Sequence, residues 1–285
     1  MTTVTPLDPA EAHRLAALAL AEDLAGGTDV TTLATVPAGL TGTAEVVARA
    51  DGVVAGLDVA AAVFAERLGS AGHVTTTARD GDRVRAGQVL LTVTGPTREL
   101  LTAERSALNL LTHLSGIATL TARWVDAVAG TGAVIRDTRK TLPGLRAAEK
   151  YAVRCGGGSN HRMGLRDQAL IKDNHVLAAG GITAAMRAVR AAYPDVFCEV
   201  ECDTLDQVEE AAREGAVLVL LDNMDVATTT AAVAIARRHG TRTEASGGLT
   251  LAVARAVAGT GVDYLAVGAL THSAPALDLG LDLHS

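Results

Sequence analysis

An α/β protein in two parts is predicted: a small layer with an antiparallel sheet over the first 95 or so residues, then a compact α/β barrel. Three features lead there. Hydrophobic residues make up 48% of the chain and aromatic ones only 2%, so Ala, Val and Leu build the core, which suits helices on a parallel sheet. Strand-like runs between turn-rich stretches fill the first third. From residue 130 onward, apolar runs of strand length alternate with amphipathic helical segments.

Asp8 and Pro9 open a helix, with Asp8 as cap, Pro9 at N1 and Glu11 completing a capping box; Leu15 and Leu18 give it an apolar face up to Gly26-Gly27. Strands follow near Thr43–Ala48, Val53–Ala55, His73–Ala78 and Val89–Val93, with a helix from about Asp58 to Leu68. A turn-rich stretch, Asp80 to Gly87, lies between the last two. A long helical region from about Thr97 to Ala129 is expected to break near Ser115-Gly116. Beyond it, strands are read at Ala133–Arg136, Ala169–Lys172, Phe197–Cys202, Val217–Leu221, Arg242–Ala245 and Tyr264–Val267. The helices between them fall near Gly144–Arg154, Ile182–Ala192, Leu205–Arg213, Val226–Arg238 and Leu249–Ala258. Such alternation implies parallel strands with right-handed crossovers. Its density suits a barrel, although strand order alone leaves an open sheet available.

Composition narrows the function. No apolar run reaches the roughly 18 residues of a membrane span, and Met1–Pro9 lacks the basic and apolar regions of a signal peptide. Cys155, Cys198 and Cys202 complete neither a disulfide framework nor a zinc site and are read as reduced thiols. A cytoplasmic protein is expected. The net charge of −7 argues against nucleic-acid binding, yet residues 136–172 carry +6 and leave −13 to the rest. Such a basic island suits an anionic small molecule; a solvated helix face explains Arg146, Lys150 and Arg154 equally well. Only three lysines, Lys140, Lys150 and Lys172, stand among 22 arginines, a weak sign that each is needed.

Barrels place their chemistry at the C-terminal ends of strands. Those ends read Arg136-Asp137-Thr138-Arg139-Lys140, Lys172-Asp173-Asn174-His175, Glu199 with Glu201 on one strand face, Asp222-Asn223, Ser246-Gly247-Gly248 and Gly268-Ala269. The last two look like a phosphate cradle, because glycine-rich backbone before a helix presents N–H groups. Glu201 and Asp222, on adjacent strand ends, could hold Mg²⁺ or sugar hydroxyls; a salt bridge to Lys140 or Lys172 is the competing reading. The site suits a polyanionic sugar phosphate.

Several blocks are also recognisable. Arg136-Asp-Thr-Arg-Lys-Thr-Leu-Pro-Gly-Leu-Arg146, Gly156-Gly-Gly-Ser-Asn-His-Arg162, Leu170-Ile-Lys-Asp-Asn-His175, Cys198-Glu-Val-Glu201 and Leu220-Leu-Asp-Asn223 resemble quinolinate phosphoribosyltransferases. So do Ala103 to Asn109, His113 to Ala118 and Val262 to Gly268, in order along nearly the whole chain. The resemblance implies an N-terminal α/β sandwich over 1–113, with the tail 274–285 packed on it, and an incomplete α/β barrel over 114–273. It implies a homodimer acting on quinolinate and phosphoribosyl pyrophosphate with Mg²⁺. Arg105 would then act across the interface, where the bland alternative is a helix-surface ion pair. By the same resemblance Arg105, Arg139, His161, Arg162 and Lys172 bind quinolinate, and Lys140 and Lys172 meet the phosphates. Glu201 and Asp222 hold the ribose hydroxyls directly or through Mg²⁺, with Lys140, Glu201 and Asp222 as the catalytic group. Ser246, Gly247, Gly248, Gly268 and Ala269 receive the 5′-phosphate, and Thr138 and Val267 complete the substrate-binding set. Ala245 stands where the family commonly has serine, and Cys202 where an aliphatic residue is usual.

Three rival readings stand beside this one. A relative acting on another base lacks a reason for the dicarboxylate-binding arginines. A Schiff-base aldolase would use Lys172 at its strand end. A carrier module would use the Asp80–Gly87 hairpin, but no lysine stands at its tip.

Overall fold

The computed structural model describes residues 4–284, so the first three residues of the Met1–Pro9 segment lie outside the described residues. Two compact units divide the chain: one contains residues 4–122, 142–157 and 273–284, the other 123–141 and 158–272.

In chain order the elements are α1 (Pro9–Leu24), α2 (Val30–Thr35), β1 (Thr41–Ala48), β2 (Gly52–Val53), α3 (Leu57–Leu68), β3 (His73–Thr76), β4 (Arg83–Val84), β5 (Val89–Pro96) and α4 (Thr97–Ala127). Then come β6 (Val134–Arg136), α5 (Arg146–Cys155), β7 (Ala169–Ile171), α6 (Asp173–Ala179), α7 (Ile182–Ala192), β8 (Cys198–Cys202) and α8 (Leu205–Arg213). The last are β9 (Leu218–Asp222), α9 (Val226–Arg238), β10 (Arg242–Ser246), α10 (Leu251–Ala258), β11 (Tyr264–Ala266), α11 (Ala269–His272) and β12 (Leu279–His284).

In the first unit a four-stranded antiparallel sheet, ordered β12-β1-β5-β3, packs its apolar face on helices. Val46, Leu91 and Val93 from the sheet meet Val63 and Phe64 of α3 and Leu100, Leu108 and Leu111 of α4 in one core. Each such fully buried side chain contributes about 1.5–3 kcal/mol. The helix α1 starts as expected at Asp8 and Pro9, but no capping box forms. Asp8 accepts from the Ala10 N–H at 2.9 Å, while Glu11 turns outward to Arg14 at 2.7 Å. Nor does α4 break. Ser115 Oγ bonds the backbone of Ala55, and Gly116 lets Pro275 approach so closely that a Cβ there would lie 2.2 Å from its carbonyl oxygen. The glycine serves packing, which overrides its poor helix propensity. The Asp80–Gly87 stretch is anchored at its start, while Arg85, Ala86 and Gly87 at its tip are exposed. Asp80 accepts from the Gly56 and Leu57 N–H groups at the start of α3 and from Tyr151 Oη at 2.8 Å. Helix α5 belongs to this unit, whereas the sequence division had placed its residues in the barrel.

The second unit holds six parallel strands in the order β6-β11-β10-β9-β8-β7. First and last strands in sequence are neighbours, and β6 and β7 are the two edges. That is the cyclic order of an α/β barrel with an open seam, and the fold class expected from the sequence. Register is parallel throughout: Glu201 opposite Leu220, Asp222 opposite Ser246, Ser246 opposite Ala266, Ala266 opposite Arg136. Side chains of one strand face, Val200 and Cys202 on β8 with Val219 and Leu221 on β9, join Met186, Val208 and Ala232 of the outer helices in a second core. Their alternates point the other way, and those include Glu199 and Glu201.

Candidate active site

The strand exits converge on a cavity of about 510 Å³ lined wholly by residues of the second unit. Every residue expected to touch substrate lines it except Arg105. Arg105 lies exposed on α4 in the first unit, and among the described residues it makes no ion pair, so the helix-surface pair is not formed.

Past β6, the buried Asp137 carboxylate accepts from the His161 N–H at 2.8 Å and from Asn160 Nδ2 at 2.5 Å. That anchor hangs the 159–162 loop beside the exit of β6 and presents His161 and Arg162 to the cavity. Thr138 Oγ1 accepts from the Lys140 N–H at 3.0 Å, and Thr271 Oγ1 donates to the Lys140 carbonyl at 2.8 Å. The Lys140 stem passes over Gly268, where a Cβ would come within 3.0 Å of its Cδ.

The cavity is rich in uncompensated positive charge. Among the described residues neither Arg139 nor Lys140 forms an ion pair, and Arg139 Nε is buried without a hydrogen-bond partner. Among the described residues the Arg162 guanidinium makes one hydrogen bond, from Nη1 to the Gln168 main-chain carbonyl at 2.9 Å. Burial, then the neighbouring Arg139 guanidinium, hold its pKa below the usual arginine range. Cations kept close together and unpaired are poised for an anion. Lys172 differs: its Nζ, at the exit of β7, pairs with Glu201 of β8. The competing salt-bridge reading of Glu201 thus describes this structure.

At the ends of β10 and β11 the backbone turns through glycines that line the cavity. Gly247 and Gly248 have φ of +85° and +58°, and the N–H groups of Gly247, Gly248 and Gly268 donate to no other group among the described residues. A Cβ on Gly247 would lie 2.2 Å from Asn223 Oδ1, so space as well as φ requires glycine there. Asn223, itself at φ +53°, receives that fold through its N–H to the Ser246 carbonyl at 2.9 Å, and its amide holds Asp222 Oδ2 at 2.8 Å.

Glu201 and Asp222 both face the cavity, but no third ligand joins them in a compact metal set among the described residues. The tight group is instead His161, Glu199 and Glu244, with ligand atoms within 4.8 Å. Arg136 Nη1 already occupies Glu244 at 2.6 Å, which makes this an ion-pair network. Burial disfavours the imidazolium of His161, yet the hydrogen bond to Glu199 and the Glu244 carboxylate 3.4 Å away outweigh burial and push the pKa up to about 9. Burial, with Glu244 nearby, raises Glu199 above the carboxylate range.

Sequence reasoning missed Glu244, Gln168 and His272, and the apolar Leu170, Leu220 and Leu249 of the same wall. Glu244 did carry a signal: an acid in the middle of a parallel strand needs a buried partner. His272 and the leucines carried none, being ordinary in an α/β chain.

The site belongs to a chain with close relatives. Residues 29–115 match the model of the quinolinate phosphoribosyl transferase N-terminal domain, and residues 117–282 that of the C-terminal domain. A Mycobacterium leprae protein named nicotinate-nucleotide pyrophosphorylase (carboxylating) is 58% identical over 271 residues, covering 93% of this chain and 94% of its own. A Bacillus subtilis protein, named as a probable enzyme of that kind, is 43% identical, covering 84% of this chain and 83% of its own. The solved structure of the nicotinate-nucleotide pyrophosphorylase from Francisella tularensis superposes with a TM-score of 0.93 at 37% identity, covering 100% of both chains. With both domain models matched in order and identity this high along the chain, the protein belongs to the quinolinate phosphoribosyltransferase family.

Proposed function

We propose that the protein transfers the phosphoribosyl group of phosphoribosyl pyrophosphate to quinolinate with decarboxylation, giving nicotinate mononucleotide, pyrophosphate and CO₂ for NAD synthesis. One observation carries the assignment: Arg139, Lys140 and Arg162, without an ion pair among the described residues, share a cavity with the unengaged N–H groups of Gly247, Gly248 and Gly268. Quinolinate bears two adjacent carboxylates, which suit two guanidinium forks, and the Arg139–Arg162 pair supplies them beside His161. The 5′-phosphate fits the glycine nest. Leu170 and Leu220 offer an apolar wall for a pyridine ring.

The pyridine nitrogen attacks C1 of the ribose as the C1–O bond to pyrophosphate breaks. Positive charge grows on the ribose ring, and Glu201 and Asp222 stabilise it. Lys140 and Arg139 take up the charge of the departing pyrophosphate. The ring is now a pyridinium. Its C2 carboxylate leaves as CO₂, the bonding electrons stay on the ring against the cationic nitrogen, and a proton takes the vacated position. No enzyme nucleophile is needed, and most of the rate follows from orientation and fixed charge. Magnesium is the expected cofactor: Glu201 and Asp222 offer hard oxygen ligands, and this ion typically combines one or two carboxylates with substrate phosphates. Bound there it would neutralise pyrophosphate.

The enzyme works as a homodimer in which Arg105 serves the partner's site; the exposed, unpaired guanidinium on α4 supports this. Mixing Arg105→Ala with Lys140→Ala protein should restore activity if sites are shared. Its charged substrates and products do not cross membranes unaided, which favours a cytoplasmic enzyme; no described helix is long and apolar enough to span a bilayer.

The deciding experiment supplies quinolinate, phosphoribosyl pyrophosphate and Mg²⁺ and measures nicotinate mononucleotide together with CO₂. Equal amounts of both are expected. Binding of phosphoribosyl pyrophosphate without product from quinolinate would transfer the assignment to another acceptor base.

A further inference from the structure

Behind the cavity's cations lies a buried polar network. Glu199 on β8 and Glu244 on β10 are both 0% exposed, a rare state for carboxylates. His161 Nε2 sits 2.9 Å from Glu199 Oε2 and 3.4 Å from Glu244 Oε1. Gln168, also buried, donates from its side-chain Nε2 to the same Glu199 oxygen at 2.7 Å, while its main-chain carbonyl accepts from Arg162 Nη1 at 2.9 Å. Arg136 holds the far side of Glu244 and stacks on Tyr264 at 4.2 Å. Arg136 is the permanent cation bonded to Glu244, and His161 is the titratable group set between the two buried acids.

We infer that Glu199, Glu244 and Gln168 are positioning residues of the dicarboxylate subsite: they hold His161 as a cation and fix Arg162, so that both meet the carboxylates of quinolinate. The inference rests on the quinolinate reading given above. Two contacts compete for the charge of the ring. The Arg162 N–H points at Nδ1 from 2.7 Å, which suits a neutral ring protonated on Nε2. The carboxylates suit the cation, and they prevail: an imidazolium gains a charge-assisted hydrogen bond to Glu199 with Glu244 3.4 Å away, which is stronger than the neutral contact at Nδ1. The His161 pKa near 9 agrees. Other charged groups near the ring are Asp137, which accepts from the His161 backbone N–H at 2.8 Å, and the guanidiniums of Arg162 and Arg139 on the same cavity.

Steady-state kinetics on the full chain test this, varying each substrate at pH 6 and pH 8.5. In Glu199→Gln the KM for quinolinate should rise about tenfold or more at pH 8.5, the loss of one charge-assisted hydrogen bond. The KM for phosphoribosyl pyrophosphate should stay within twofold or so, and the quinolinate defect should shrink at pH 6, where an imidazole is protonated without help. A purely structural role would alter both KM values, or neither, at both pH values. Gln168→Met keeps the volume and both carboxylates, so it serves if Glu199→Gln fails to fold; a selective rise of about threefold or more in the quinolinate KM is expected. Wild-type quinolinate KM in the folded variants, or equal rises for both substrates, would overturn the inference. A wild-type protein that makes no product from quinolinate is a different failure, that of the functional reading.

Discussion

Alanine at Gly247 is expected to damage phosphoribosyl pyrophosphate binding far more than its single methyl group suggests. The residue sits at φ +85°, where an L side chain costs about 1–2 kcal/mol. Its Cβ would also stand 2.2 Å from Asn223 Oδ1 and 2.5 Å from Cγ, so the Asn223 side chain must move. That movement breaks the 2.8 Å hydrogen bond to Asp222, adding about 1 kcal/mol and freeing the carboxylate assigned to the ribose. The stability loss comes to about 2–3 kcal/mol, a fall in Tm of roughly 4–9 °C for a chain this size. The KM for phosphoribosyl pyrophosphate should rise about tenfold or more, since nest amides and Asp222 shift together. Gly240→Ala is the matched control. It has φ +72° and nothing within 4 Å of its Cβ, and it lies at the entry of β10, away from the cavity. It should lose about 1 kcal/mol through strain and keep its substrate affinity. Equal affinity for phosphoribosyl pyrophosphate in Gly247→Ala and wild type would refute the reasoning about the nest.

Lys140→Ala should lower turnover by about two to three orders of magnitude, as for loss of a transition-state charge donor, with little change in Tm because the side chain pairs with no protein group among the described residues. Asp222→Asn should raise the Mg²⁺ concentration needed for half-maximal activity by about tenfold; an unchanged Mg²⁺ requirement would remove this residue from the metal's surroundings. Stability should fall as pH rises from about 6.5 to about 9. His161 binds its proton more tightly folded than unfolded, so its contribution is complete below the unfolded pKa and is lost through the folded one, at most about 1.4 kcal/mol per pH unit. Thermal melts of wild type and His161→Ala across that window check this, and the variant should show the shallower slope.

Periodicity and turn chemistry located the helices Ile182–Ala192, Leu205–Arg213 and Val226–Arg238 to the residue, because their amphipathic faces lie on a regular sheet. Elements whose existence depends on distant partners were harder to see. β12 forms only because β1 offers an edge over two hundred residues away in sequence, with Thr43 opposite His284. α6 follows β7 directly, its first turn secured by the Lys172 N–H on His175 Nδ1 at 3.0 Å, where a plain strand exit had been read. The expected break in α4 failed for the same reason, since Pro275 dictates what Gly116 does.

For the site, residue types at strand ends were enough to collect Arg139, Lys140, Lys172, Glu201, Asp222 and both glycine turns, because a parallel barrel must bring its strand exits to one end; His161 and Arg162 enter only through the family resemblance. Local sequence could not say which of those charges would neutralise one another. That was decided by register and burial: Lys172 pairs with Glu201 on the neighbouring strand, Arg136 with Glu244, while Arg139 and Lys140 form no ion pair among the described residues. Chemistry at a strand exit is written in the order of residues. The charge state of a buried network depends on distances of a few ångströms between strands far apart in the chain, and only the folded barrel sets them.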